Sequence, residues 1–308
     1  MHDARTSQLI ALVVALLSIS VAPASRADPA PEPTIREQLQ AAKLMQAVLA
    51  ARDAAPEEWR KLDATYAALI AKYPRDMAVR NARAEYFWDI GKQADAVADW
   101  EAALQVEPGN ALVLDHLGDS MLALGEVKKS AAYYLRAAAS EPSNAAYHFA
   151  LANVWFLFRH ELIDAAHPDA GTLLSGALAQ FAEAARLAPD NAEYARAYAE
   201  TFYSVAEPDW QAALAAWQNF RKLSAQEDFA LLNLARVHLK LGQCDAARTC
   251  LSGIQSTDYQ TLKAKLETQI NSTPGAATNN LESQTQPDTS EQRKNSSKPA
   301  IDGGESRP

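Results

Sequence analysis

Pro74, Pro108 and Pro142 stand 34 residues apart, and each closes an amphipathic run. A fixed period of this length means stacked supersecondary units, none of which can bury its apolar face alone. Two residues past each proline is a helix N-cap candidate, Asp76, Asn110 and Asn144, and the offset recurs at Pro189 with Asn191. Proline lacks the N–H that would continue a helix, and the Asp or Asn side chain accepts from the orphan N–H groups that open the next one. The repeat therefore dictates an all-α chain. Only 11 of the 308 residues are Gly, and Ala, the best helix former, is abundant, which fits helix better than strand. Lys and Arg number 29 against 38 Asp and Glu, a net charge of −9 and the wrong sign for binding a phosphate backbone, so no nucleic acid is expected as a partner. Cys244 and Cys250 are too few for a disulfide framework or a Cys-based zinc site. On one helix they would lie about 9 Å apart, beyond disulfide reach, so a bridge requires Cys244 to precede the helix.

The two ends are of different character. Arg5 precedes an apolar run from Leu9 to Ala22, and small residues follow at Ala24 and Ala27. Residues 1–27 read as a secretory signal peptide and its cleavage region. The run is about 14 residues long, against about 20 for a membrane span, so no stable membrane insertion is expected after cleavage. The product is expected in the periplasm or outside the cell. Residues 28–33 form a Pro-rich linker, and Thr34 with Glu37 makes a capping box that opens the folded region, 34–270. Residues 271–308 hold Leu281 and Ile301 as their only large apolar side chains, too little to offset ordering entropy, and read as a disordered tail.

Within the repeats, small and large residues recur in register. One unit runs Leu114-x2-Leu117-Gly118-x2-Met121, then Gly125, Ser130-x3-Tyr134, Ala137 and Pro142. Others run Arg80-x2-Arg83-Ala84-x2-Phe87 to Gly91, Ala96-x3-Trp100 and Pro108, and Leu231-x2-Leu234-Ala235-x2-His238 to Gly242 and Ala247-x3-Leu251. Ala152 with Phe181 and Ala199 with Trp217 mark two more. This pattern resembles the tetratricopeptide repeat. Pro142 to Pro189 is 47 residues, 13 beyond the period, which places an insertion at about 160–172. The resemblance implies a right-handed α-solenoid of antiparallel helix pairs, about six of them with a C-terminal capping helix. It also implies a non-catalytic scaffold with no cofactor, whose partner is a protein or peptide held on the concave face lined by the first helix of each pair.

That face is read from the residues three before, one after and four after each small residue, an i, i+4, i+7 stripe. The stripes are Asn81, Glu85, Trp88; Asp115, Asp119, Leu122; Phe149, Asn153, Phe156; Arg196, Glu200, Tyr203; and Leu232, Arg236, Leu239. Exposed aromatic side chains are the usual anchors of binding, and the carboxylates beside them suit basic or hydrogen-bond-donating groups. A branch of the family grips acidic peptide C-termini with Lys, Asn and Arg; Asn81 and Asn153 match, but the stripes contain no Lys. Two alternatives compete with the scaffold. Aromatic and acidic groups also suit a carbohydrate. His160, Asp164 and His167, with Glu161 beside them, would share a helical face and could serve a metal-dependent enzyme. No nucleophile motif, P-loop or dinucleotide fingerprint occurs.

Overall fold

The computed structural model describes residues 32–52, 54–164 and 166–272. Among them are thirteen α-helices and a short 3-10 turn, Thr257–Tyr259. The leader and most of the Pro-rich linker lie outside the described residues, as does the tail from residue 273 onward. The chain divides after Ser224 into two compact units.

Unit 1 holds ten helices among its described residues: α1 (Ile35–Ala50), α2 (Pro56–Lys72), α3 (Met77–Asp89), α4 (Gln93–Val106), α5 (Ala111–Ala123), α6 (Val127–Ser140), α7 (Ala145–Leu157), α8 (Ala170–Leu187), α9 (Ala192–Thr201) and α10 (Trp210–Leu223). Each packs chiefly on the next in the chain. Because most of the linking turns are short, successive helices run antiparallel. Met77, Ala111 and Ala145 open α3, α5 and α7 at the 34-residue period. The cap before each is the expected one: Asp76 accepts from the Val79 N–H at 3.0 Å, Asn110 from Val113 at 3.1 Å and Asn144 from Ala146 at 3.1 Å. Asn191 caps α9 in the same way, and Thr34 with Glu37 forms a capping box at α1.

Inside the α3–α4 and α5–α6 pairs, the turn depends on glycine. Gly91 and Gly125 have φ of 79° and 77°, the left-handed region that a side chain disfavours. The residue after each donates its N–H five residues back, Lys92 to Phe87 and Glu126 to Met121, closing a Schellman motif. Small residues then let the paired helices approach: a Cβ on Gly118 would lie 2.6 Å from the Tyr134 ring. Ala84, Ala152 and Ala199 are fully buried, as are their large partners Trp100, Phe181 and Trp217 to within 2 %.

The α7–α8 pair departs furthest from this plan. Between α7 and α8 the turn lengthens to residues 158–169 and carries Leu162, 6 % exposed, back into the core beside Leu173. Asp169, on the far side, caps α8 by accepting from the Thr172 N–H at 2.8 Å.

Unit 2 contains α11 (Glu227–Lys240), α12 (Cys244–Ser252) and α13 (Gln260–Ser272). Gly242, at φ 72°, makes the α11–α12 turn as Gly125 does in unit 1. The last helix packs on both others through Ile270, fully buried, and Leu266, while Leu262 stays 46 % exposed and takes no part in that cap. Cys244 and Cys250 lie on one helix and are not joined by a disulfide, which settles the open question of a bridge between them. Among the described residues no helix is long and apolar enough to cross a membrane.

Candidate functional site

The first helices of unit 1 carry their stripes in register, and side-chain contacts link stripe residues to the neighbouring first helices. Lys43 of α1 donates to Glu85 of α3 at 2.9 Å, and His116 of α5 places Nε2 3.4 Å from the same carboxylate. Phe149 of α7 meets Tyr194 of α9 with ring centroids 4.4 Å apart. Trp88, Phe149, Phe156 and Tyr203 are all half-buried, each with part of its ring in solvent. Their inner edges are held by neighbours: Trp88 by Trp100 at 6.1 Å, Phe149 and Phe156 by Phe181 at 5.6 and 6.4 Å, and Tyr203 by Trp210 and Trp217 at 5.9 and 6.2 Å. An anchor pre-positioned in this way loses little rotamer freedom on binding.

The polar members of the stripes divide by what they already hold. Asn81 is 8 % exposed; it accepts from the Trp100 indole N–H at 2.9 Å and donates to Glu85 at 2.7 Å. Its role is therefore internal, and it is not a surface amide for a partner. Burial pushes Glu85 up, but His116 and Lys43 outweigh it and hold the carboxyl at about 2. Asp119 accepts from the Tyr134 hydroxyl. Arg196 donates to Glu200 at 2.9 Å within α9.

Asp115 differs. It is half-buried and has no hydrogen-bond or ion-pair partner among the described residues. Burial, followed by the Asp119 charge one turn away, raises it to about 6, with His116 pulling the other way. Asn153, half-buried on α7 at the position that Asp119 occupies on α5, likewise has no hydrogen-bond partner among the described residues. Of the polar stripe residues in unit 1, these two keep their bonding capacity for something else.

Three findings lie beyond the sequence reading. Lys43 enters the face from the first pair, which lacks the Leu-Gly pair of the full repeat, and it stands one residue after the fully buried Ala42. Its ammonium is spent on Glu85, so it does not recreate the Lys of a carboxylate clamp. His116 stacks on Trp100 at 5.3 Å, a contact across pairs that no single-unit pattern signals. Arg236 and its neighbours Leu232 and Leu239 belong to unit 2, where Arg236 donates to Asn233 at 3.0 Å and Leu232 is 4 % exposed.

The helical face required by the metal reading does not form. The helix ends at Leu157, His160 lies in a turn, and Asp164 accepts from the N–H of His167 at 2.8 Å in a loop of its own. Among the described residues no three His, Cys, Asp or Glu side chains converge on a point.

Paired antiparallel helices at a 34-residue period, with a small residue against a large one inside each pair, decide the architecture. The fold is that of a tetratricopeptide array. No family model matches the chain, and no curated protein matches it. Solved structures similar to it include YrrB, described as a TPR protein with an unusual peptide-binding site, at 15% identity over 61% of this chain and 89% of that one, TM-score 0.49. The pilF protein of Pseudomonas aeruginosa is similar at 17% identity over 75% of this chain and 99% of that one, TM-score 0.49. PilW, a type IV pilus biogenesis factor, follows at 16% identity over 77% and 98%, TM-score 0.45. At this level of similarity the fold assignment rests on the helix pairing itself.

Proposed function

We propose that the protein is a non-catalytic scaffold, exported to the periplasm or beyond, whose first-helix face in unit 1 binds a protein segment for assembly of an envelope complex. The segment presents a basic side chain to Asp115 and apolar side chains to the half-buried rings on either side in the stripes. The observation that carries this reading is the unpartnered, half-buried carboxylate of Asp115. A carboxylate drawn out of water without a donor costs free energy, and a Lys or Arg from a partner removes that cost. Trp88 and Phe149 supply apolar area where the basic group docks. The N-terminal Leu9 to Ala22 run with its small-residue exit supports export.

A photo-crosslinking residue placed at position 153, with one at exposed Gln105 of α4 as control, tests the face in cell extract. The expected result is a protein adduct from position 153 that is weak from 105, is lost when Asp115→Lys is added, and maps to a segment with Lys or Arg beside apolar residues. Adducts that are indifferent to Asp115→Lys, or a glycan in place of a protein, would overturn the proposal.

A further inference from the structure

The extra residues between α7 and α8 do more than lengthen a turn. They lie against α6 and, together with it, line a half-open cavity of about 170 Å³ in unit 1. Its walls include Leu135, Leu162, Leu173 and Trp155, and Leu135 is 47 % exposed. Sites for cofactors and drug-sized ligands run from about 300 to 1,000 Å³, so this one has room for a single large side chain.

The cavity is held open from two sides. Gly176 of α8 lets Trp155 lie against that helix, since a Cβ there would fall 2.8 Å from the indole ring. The loop closes on itself: the Asp164 N–H donates to the His167 carbonyl at 3.0 Å, and the His167 N–H returns a bond to the Asp164 carboxylate at 2.8 Å. The His167 ring lies 5.5 Å from that of Trp155. A charge census at the cavity then leaves one group over. The Asp164 carboxylate, at the exposed rim of the cavity, gives one oxygen to the N–H groups of its own loop and to the His167 ring at 3.3 Å, and those loop bonds hold it below the usual carboxylate range. Lys129 pairs with Glu126 at 3.3 Å, but Lys128, which lines the cavity, has no ion pair among the described residues.

We infer that this cavity is a second docking site, for a partner segment in which a leucine-sized or aromatic side chain stands next to Asp or Glu. The apolar side chain fills the space beneath Trp155, and the neighbouring carboxylate meets Lys128. A chain-terminal carboxylate fits less well, because such ends are captured by clusters of backbone N–H groups, and those of this loop are spent on Asp164. The site shares no residue with the first-helix stripes, so its failure would leave the groove proposal untouched.

The test uses the full exported chain with 15N-labelled tryptophan, the Trp155 indole signal being assigned through Trp155→Phe. Acetyl-Asp-Leu-amide should shift that signal saturably, and acetyl-Asn-Leu-amide should bind about threefold more weakly at low salt, the size of an exposed ion pair. Lys128→Gln should erase the difference between the two peptides. Ala132→Phe, on exposed α6 surface at the cavity margin, should abolish the response to both. No movement of the Trp155 signal, equal affinity for the two peptides in the unsubstituted protein, or tighter binding of acetyl-leucine with its free carboxylate would overturn the inference.

Discussion

Gly118 and Asp115 lie three residues apart on α5 and illustrate what a stack of pairs demands and what it leaves free. Gly118 has no alternative, because the Tyr134 ring occupies the place of its Cβ at 2.6 Å. Gly118→Leu should cost about 1–3 kcal/mol from overpacking, read as a lower denaturant midpoint. Asp115 works in the opposite sense, since burial and Asp119 raise its carboxyl to about 6 from an unfolded value of 3.8. The native state therefore holds this proton more tightly than the unfolded chain does. The stability it contributes is complete below pH 4 and is lost as pH rises through 6. Asp115→Asn should remove that loss and leave the variant more stable at pH 7.5 by on the order of 1 kcal/mol, the partial exposure reducing the effect, with no gain at pH 4. Urea melts at the two pH values check both parts. The sequence placed Asp115, Asp119 and Glu85 together as equals. It could not show that Lys43 and His116 lie against one of them, because those partners come from neighbouring pairs and obey no fixed offset.

At the scale of the helices, nearly everything was legible, because each boundary is fixed by local chemistry. Asp76, Asn110, Asn144 and Asn191 all cap the helix that follows them, and Gly91, Gly125 and Gly242 all turn with positive φ. Asn110→Ala should accordingly cost about 1 kcal/mol, as loss of an N-cap does. The lengthened α7–α8 turn was legible only as a break in the period. His160, Asp164 and His167 suggested a metal-binding helical face, but Asp164 instead makes a tight loop with His167, and Leu162 fastens that loop into the core. Leu162→Ala should cost about 2–5 kcal/mol and raise hydrogen exchange at the end of α7 and the start of α8 before it affects α3 or α4. Exchange that rises evenly through unit 1 would mean that the loop is not a local latch.

For the whole molecule, the short apolar run and the polar tail make separate predictions. Cells expressing the full chain should export it, with an intact mass that corresponds to cleavage after Ala24 or Ala27. Removing residues 273–308 should leave the unfolding midpoint unchanged, because α13 is kept to Ser272 and its buried Ile270 closes unit 2 without them. The central claim concerns unit 1, where a repeat face spends its other carboxylates on internal partners and keeps Asp115 for a basic group from outside. The most direct measurement is a calorimetric titration of the segment recovered from the position-153 cross-link, at pH 5 and pH 7.5, against the unsubstituted protein and Asp115→Asn. Affinity of the unsubstituted protein should rise as Asp115 ionises, and the Asn variant should bind more weakly at pH 7.5 with no such rise. Equal affinity of the two proteins at pH 7.5 would contradict it.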